Sequence, residues 1–232
     1  MSFPLVLLEI DCAWSDQECA DHLAGLPEGI QARAQRYLQA SSRRTLIASR
    51  VRLAQVLEAL GFSDRQVQTA ENGRPFLLGQ NLQFNLTHSH KRAALALSVD
   101  PDLFEGLGVD LEWMPRPVEV VAVGKRFFSG QEHRWVGDDA SRFYRIWTRK
   151  EAVLKSNGIG LRMPLDSFEV LEDQVAEAVT GRGLHLSTIE REGDYLLSWA
   201  VSSTPSQVHI LSDKELDWLE RLAALLGPFT RF

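Results

Sequence analysis

The sequence predicts an α+β fold. Stretches with the apolar spacing of helices and stretches with the alternation of strands follow one another in both parts of the chain. A segment rich in turn-forming residues, Asp100–Gly106, separates these parts near the middle of the 232 residues. With 44% hydrophobic and 24% charged residues, the chain has enough apolar material for a sizeable core. We therefore expect two α+β halves, residues 1–105 and 106–232.

In the first half, the apolar run that starts at Leu5 predicts a strand, and Ser15 is a suitable N-cap for a following helix. Gly61 is expected to end a long helical pattern that is interrupted near Ala40–Ser42. The remaining elements are, in order, helices over Asp16–Leu26 and Gln31–Leu60, and strands over Leu82–Thr87 and Arg92–Val99.

The second half begins with a strand that carries Asp110 and Glu112. After it we expect helices over Val118–Phe127, Gln131–Trp135 and Ser141–Ser156, and strands over Phe168–Leu171, Leu184–Ile189 and Tyr195–Ser202. Asp213–Leu226 is typical of an amphipathic terminal helix, with an inward face formed by Leu216, Leu219, Leu222 and Ala223.

Composition also excludes several classes of protein. The net charge of −6 argues against broad nucleic-acid binding. No apolar stretch approaches the about 20 residues that span a bilayer, and the N-terminal run lacks a basic leader, so we expect no membrane association and a cytoplasmic location. Cys12 and Cys19 fit no metal motif and cannot form a disulfide framework.

Two short motifs carry most of the chemistry. Within Gly108–Glu112, strand alternation places the carboxylates of Asp110 and Glu112 on one face. Within Trp147–Lys155, helical spacing places Glu151 on one stripe with Trp147 and Lys155. Three carboxylates beside lysine would hold a hard divalent cation and the oxygens of a phosphate ligand. The simpler alternatives are a solvated strand face, an i,i+4 salt bridge between Glu151 and Lys155, and a core role for Trp147.

A third cluster adds potential phosphate contacts, in Gly73-Arg74-Pro75 and Asn85–His90. His88 and His90 could be zinc ligands, but no third ligand has suitable spacing, so a structural or phosphate-contacting histidine is favoured. Ser89 lacks the strand-to-helix context of a nucleophile elbow. Arg43 and Arg44 are, taken alone, solvated charges on a helix.

Taken in order, these motifs form a set: Arg44, Gly73-Arg74-Pro75, Asn85–Ser89, Gly108–Glu112, Arg126–Ser129 and Trp147–Lys155. The set resembles the 4′-phosphopantetheinyl transferases of the surfactin-synthetase-activating type, from about Arg33 to Phe168. The resemblance implies a pseudo-dimer of two similar α+β halves that join near Asp100–Gly106, with the active site and coenzyme A in the cleft between them.

The resemblance also implies roles for individual residues. Asp110, Glu112 and Glu151 match the acids that bind Mg²⁺. The coenzyme-binding positions are Arg74, His88 and Ser89 around the phosphates, Arg44 at the adenosine 3′-phosphate and Lys155 at the pyrophosphate. Arg74 stands where lysine is frequent, which keeps the charge but changes the donor geometry. His90 replaces a commonly small residue, and Arg33 and Arg36 receive no role.

The implied activity is Mg²⁺-dependent transfer of 4′-phosphopantetheine from coenzyme A to a serine of an acyl or peptidyl carrier protein, releasing adenosine 3′,5′-bisphosphate. Glu151, Lys155 and His88 are the expected catalytic groups, and a monomer is expected. Two alternatives stay open: a Mg²⁺-dependent nucleotide pyrophosphohydrolase, and a non-catalytic module that binds coenzyme A or carrier proteins.

The carrier is expected to dock on the segment after Glu112, chiefly Met114–Val121. Apolar side chains there stand beside Arg116, Lys125 and Arg126, which would attract an acidic partner that the whole molecule, at −6, would repel. For Phe127 and Phe128, a role in the core is as consistent with the sequence as a role in docking the carrier.

Overall fold

The computed structural model describes residues 3–70, 74–100, 106–158, 163–176, 181 and 183–227. These form two compact units. The first contains Met1–Thr69, Pro75–Val99 and Pro205–Phe232, and the second contains Ala70–Arg74 and Asp100–Thr204. The units are therefore not consecutive halves of the chain, because the last segment returns to the first unit. None of the described helices is long and apolar enough to cross a membrane.

The first unit is built on a four-stranded sheet with the order β10-β1-β5-β4, in which only β10 runs parallel to its neighbour β1. Its strands are β1 (Leu5–Asp11), β4 (Gln83–Ser89), β5 (Arg92–Ser98) and β10 (Val208–Ser212), and a separate hairpin joins β2 (Val67–Thr69) to β3 (Pro75–Leu77). The helices are α1 (Asp16–Leu23), α2 (Glu28–Arg36), α3 (Ala40–Ala59) and, at the end of the chain, α7 (Trp218–Leu226).

The interruption predicted near Ala40–Ser42 lies slightly earlier, between α2 and α3. Tyr37 and Gln39 both have extended backbone there, so the helical ladder cannot continue across them. Ser15 caps α1 as expected, with the Glu18 side chain completing a capping box. Gly61 has φ +81° just after α3, which ends the helix as predicted.

The second unit contains a four-stranded antiparallel sheet with the order β6-β9-β8-β7. Its strands are β6 (Leu107–Trp113), β7 (Gln174–Val175), β8 (Leu184–Arg191) and β9 (Tyr195–Val201), and its helices are α4 (Val120–Phe127), α5 (Gly130–Val136) and α6 (Ala140–Asn157). Every residue of β9 is buried, and α6 packs against β6 and β9. Both units are thus α+β, and each sets a helix of about five turns against a four-stranded sheet.

The strand predicted over Phe168–Leu171 is wrong. A 3₁₀ helix covers Leu165–Ser167, irregular backbone follows, and the next strand is β7. Phe168 and Val170 are buried, as an apolar pattern requires. Their backbone groups, however, bind side chains: the Phe168 carbonyl accepts from Lys150 Nζ, and the Val170 N–H donates to Glu132. These contacts replace a strand ladder.

The terminal helix predicted over Asp213–Leu226 begins five residues later, and β10 precedes it. Asp213 is still attached to the sheet, because its N–H donates to Glu9 and its carboxylate accepts from the Asp11 N–H and from Arg52. Leu216 consequently lies in the connection and is fully exposed, at 106% of its reference area, instead of facing inward. The other three predicted positions, Leu219, Leu222 and Ala223, do pack on the core.

Candidate active site

Strand β6 and helix α6 lie in direct backbone contact, and Gly108 makes this contact possible. A Cβ atom at Gly108 would stand 2.0 Å from the Ala152 carbonyl oxygen and 2.5 Å from the Ser156 nitrogen. A side chain there would push the helix away from the strand. Gly108 thus lets α6, which carries the second motif, approach β6, which carries the first.

We expect Gly108→Ala to lower the free energy of unfolding by at least about 2 kcal/mol, because the added methyl overlaps backbone that cannot move independently. Urea unfolding measures the loss. The matched control is Gly130→Ala, since its Cβ would meet only a side-chain nitrogen of Arg134 at 3.5 Å. Equal stability of the two variants would contradict the close approach.

Helix α6 presents one partly exposed stripe. From Ile146 to Ser156, only Trp147, Glu151 and Lys155 are partly exposed, and the other side chains are buried. This confirms the predicted stripe. On β6, Val109 and Leu111 are buried in the core, and Asp110, in the middle of the strand, is also nearly buried.

Lys155 forms an ion pair across the two elements. Its Nζ lies 2.6 Å from Asp110 Oδ1, and the lysine side chain remains 30% exposed. The i,i+4 alternative proposed a salt bridge between Lys155 and Glu151, whereas this contact joins the helix to the strand. A solvent-accessible ammonium is therefore held beside the buried carboxylate of β6.

The third carboxylate, Glu151, shows that the acids are close enough to repel one another. Burial raises the pKa of Glu151, and the negative charges of Asp110 and Glu112 raise it further, while Lys155 acts in the opposite direction. A cation among these carboxylates would relieve that repulsion, so the donor set suits a hard divalent ion. As they stand, no three His, Cys, Asp or Glu side chains in the described part of the chain are placed to hold a metal ion.

Arg74 reaches the same end of α6. Its Nη1 donates to the Ser156 carbonyl oxygen at 3.3 Å, one residue beyond Lys155. A guanidinium at a helix C-terminus also interacts favourably with the helix dipole. The second unit therefore brings Arg74, Asp110, Glu112, Glu151 and Lys155 together around the contact of β6 with α6.

The other predicted residues belong to the first unit, where they share one region. His88 and Ser89 end β4, directly before the turn to β5. The hydroxyl of Thr45 donates to the His90 carbonyl at 3.0 Å, which attaches the start of α3 to this turn. Arg44, the preceding residue, makes a bidentate pair with Asp16 at 2.9 and 3.0 Å.

Sequence reasoning assigned no role to Arg50 of α3, which the structure places in an unusual environment. Its Nε atom is buried and has no hydrogen-bond partner among the described residues. Burial lowers the pKa of Arg50, and the nearby cation Arg33 lowers it further. The signal in the sequence is the absence of an acid: positions three and four residues away are Leu46, Ile47, Leu53 and Ala54.

Lys150, inside the second motif, turns away from the acids. It is fully buried, and its Nζ contacts Glu132 Oε2 at 2.8 Å and the carbonyls of Leu165 and Phe168 at 2.6 and 2.5 Å. Glu132 in turn accepts from the N–H groups of Ser129 and Val170. The lysine thus holds α5, α6 and the 165–170 segment together.

Comparison with known proteins identifies the family of this chain. The family model of the 4′-phosphopantetheinyl transferase superfamily matches residues 106–200, which include β6 and α6. The 4′-phosphopantetheinyl transferase HetI of Nostoc sp. is 32% identical over 167 residues, covering 67% of this chain and 68% of HetI. The chain belongs to the 4′-phosphopantetheinyl transferase superfamily. The resemblance found in the motifs is therefore confirmed.

Two further relatives in the superfamily cover less of the sequence. The 4′-phosphopantetheinyl transferase AcpT of Salmonella typhi is 32% identical over 139 residues, which are 57% of this chain and 67% of AcpT. The 4′-phosphopantetheinyl transferase Sfp of Bacillus subtilis is 32% identical over 114 residues, 47% of this chain and 48% of Sfp. In matches such as the one to Sfp, this chain spans about half the length of its relative.

Proposed function

We propose that this protein transfers the 4′-phosphopantetheine group of coenzyme A to a serine of an acyl or peptidyl carrier protein. The observation that carries the proposal is the meeting of Asp110, Glu112, Glu151 and Lys155 where β6 packs on α6. Membership of the superfamily supports the same activity, as do the names of HetI, AcpT and Sfp. The reaction takes place in the cytoplasm.

In this proposal, residues 1–105 and residues 106–232 have different roles. Residues 1–105 supply contacts to the adenosine and phosphates of coenzyme A, through Arg44, His88 and Ser89 of the first unit and through Arg74, which lies in the second. Residues 106–232 supply the acids and Lys155. The two compact units, the first of which includes Pro205–Phe232, form a pseudo-dimer with the coenzyme in the cleft between them, and the protein acts as a monomer. That each unit carries a long helix on a four-stranded sheet supports this arrangement.

The reaction is a phosphoryl transfer. The oxygen of the carrier serine bonds to the phosphorus that bears pantetheine, the bond from that phosphorus to the bridging oxygen breaks, and adenosine 3′,5′-bisphosphate leaves. Glu151 takes the serine proton, directly or through water. Lys155, Arg74 and His88 donate to the phosphoryl oxygens.

Mg²⁺ would be held by Asp110, Glu112 and Glu151, and when bound it neutralises charge on the pyrophosphate. In the present arrangement Asp110 Oδ1 is in contact with Lys155. Since the Lys155 side chain is partly exposed, its ammonium can turn from Asp110 towards a bound phosphate.

The test is intact-mass analysis of several apo carrier proteins incubated with this protein, coenzyme A and Mg²⁺. The proposal predicts a mass increase of one phosphopantetheine group on the carrier. Release of adenosine 3′,5′-bisphosphate without carrier modification would indicate a pyrophosphohydrolase. Binding of coenzyme A with neither product would indicate a non-catalytic module.

Arg44→Ala should weaken coenzyme A binding more than binding of 3′-dephospho-coenzyme A, because the proposed contact is to the 3′-phosphate alone. Isothermal titration with both ligands measures the difference. The comparison variant is Arg50→Met, since Arg50 is a second arginine of α3 and its buried Nε has no hydrogen-bond partner among the described residues. If Arg50→Met, and not Arg44→Ala, weakens binding of coenzyme A more than binding of 3′-dephospho-coenzyme A, the 3′-phosphate contact belongs to Arg50 instead.

The carrier docks on the segment that follows β6, and the structure distinguishes its side chains. Arg116, Lys125 and Arg126 are exposed. Val121 is 52% exposed, whereas Val120 is only 9% exposed and packs in the core with Phe128. An acidic carrier surface would meet the three basic residues around Val121.

Reversing the charge at Arg116 and adding one at Val121, as Arg116→Glu with Val121→Asp, should raise the KM for the carrier at least about tenfold. The KM for coenzyme A should stay unchanged, because neither residue lies among the proposed coenzyme contacts. Steady-state kinetics with each substrate varied in turn give both constants. Unaltered carrier kinetics in the folded double variant would place the docking surface elsewhere.

A further inference from the structure

The loop between β6 and α4 contains the proposed carrier contact Arg116, and its sequence restricts its backbone. Pro115 and Pro117 flank Arg116, so neither neighbour has an N–H to donate. The start of the loop is fixed by the Met114 N–H, which donates to the Asp194 carbonyl at 2.9 Å. In the middle of the loop the Arg116 N–H donates within the loop itself, to the Trp113 carbonyl at 3.4 Å, so the tie from Arg116 to another element uses an acceptor.

That acceptor is the Arg116 carbonyl, and its partner comes from helix α6. The hydroxyl of Tyr144 donates to the Arg116 carbonyl oxygen at 2.6 Å. The tyrosine itself is 3% exposed, and its ring meets Phe143 edge to face at 5.5 Å. Burial raises the pKa of Tyr144, with a smaller contribution from Glu112, so the hydroxyl keeps its proton.

Tyr144 also stands in a defined relation to the candidate base. It precedes Glu151 by seven residues, two helical turns, so both side chains leave the same side of α6. The helix is firmly placed, because Lys150 and Arg149 are buried and bind the segments over 165–168 and 171–173. One rigid element therefore carries Glu151 and the anchor of the loop.

We propose that Tyr144 is a positioning residue for the carrier protein: by holding the Arg116 carbonyl, its hydroxyl sets the loop so that Arg116 and Val121 meet the carrier while its serine reaches the site at Glu151. The proposal rests on the function proposed above. Preorganisation of this kind reduces the ordering that binding must otherwise supply, so its loss weakens the carrier complex and leaves the coenzyme site as it was.

The test is Tyr144→Phe, which removes one oxygen and keeps the ring in the core. We expect the KM for an apo carrier protein to rise about three- to tenfold, as the loss of one buried hydrogen bond would give. The KM for coenzyme A and the Mg²⁺ dependence should change less than twofold. Titration of the apo carrier into each variant in the absence of coenzyme A gives the same comparison without turnover.

Thr148→Val is the matched control. It removes another buried hydroxyl of α6, one that bonds to Ser198 Oγ at 2.7 Å, so it costs a similar hydrogen bond away from the loop. Its carrier KM should stay near that of the wild type. Equal carrier effects in the two variants would show a merely structural role for Tyr144 and overturn the inference.

The inference and the function fail in different ways. A wild-type protein that neither modifies nor binds any apo carrier would overturn the proposed function, and the inference with it. An active wild type together with unchanged carrier KM and carrier affinity in Tyr144→Phe would overturn the inference alone.

Discussion

Asp110→Asn should reduce phosphopantetheine transfer by about 100- to 1,000-fold, the range seen when one group that stabilises a transition state is removed. The asparagine keeps the shape of a nearly buried side chain in the middle of β6, so packing is preserved while the charge that faces Glu151 and Lys155 is lost. Rates of carrier modification, followed by mass spectrometry over a range of Mg²⁺ concentrations, measure the effect.

The control for this variant is Glu190→Gln, which neutralises an exposed acid on β8 of the same sheet. It should retain wild-type activity. Mg²⁺ should raise the melting temperature of the wild type and of Glu190→Gln, because a ligand that binds the folded state stabilises that state. It should not raise the melting temperature of Asp110→Asn, which lacks one of the proposed metal ligands. Near wild-type transfer by Asp110→Asn at low Mg²⁺ would show that Asp110 is not part of a metal site.

Lys150→Met should lower the free energy of unfolding by about 3–5 kcal/mol, the cost of leaving one member of a buried ion pair without its partner. Glu132, at 0% exposure, would lose its ion-pair partner, and the carbonyls of Leu165 and Phe168 would lose their donor. Denaturant unfolding of the second unit, followed by tryptophan fluorescence, measures the change.

Two comparisons separate the ion pair from a general effect of losing a lysine. Lys125→Met, on the exposed face of α4, should change stability by less than about 0.5 kcal/mol. Adding Glu132→Gln to Lys150→Met should recover part of the loss, because the remaining buried charge is then removed. A double variant that loses the full sum of both single effects would argue against coupling between the two residues.

Asp110→Asn and Lys150→Met concern different faces of α6: Asp110 contacts the face that carries Lys155, and Lys150 lies on a buried face. Glu151 and Lys155 face β6 and the proposed substrates, whereas Lys150 and Arg149 face inward and bind backbone of the segments that follow the helix. A single motif thus contains residues proposed for chemistry and residues that hold the helix in place. Loss of activity on mutating the motif therefore requires a stability measurement before it is assigned to catalysis.

Local pattern was sufficient for most elements and for the partly exposed stripe of α6. The alternation around Asp110 and the four-residue spacing around Glu151 depend only on strand and helix geometry, which neighbouring residues determine. The order of the motifs indicated the superfamily, and Gly61 and Ser15 ended and began helices through backbone preferences of their own. These features need no knowledge of distant contacts.

Contacts between residues far apart in the chain decided the rest. Lys150 and Glu132 took the backbone groups that a strand at Phe168–Leu171 would have used, and Asp213 kept its segment on the sheet where the sequence predicted a helix. The partner of Lys155 is Asp110, 45 residues away, and it meets that carboxylate because Gly108 lets β6 touch α6. Burial and pairing of charges depend on which elements pack together, and a local sequence pattern does not specify that packing.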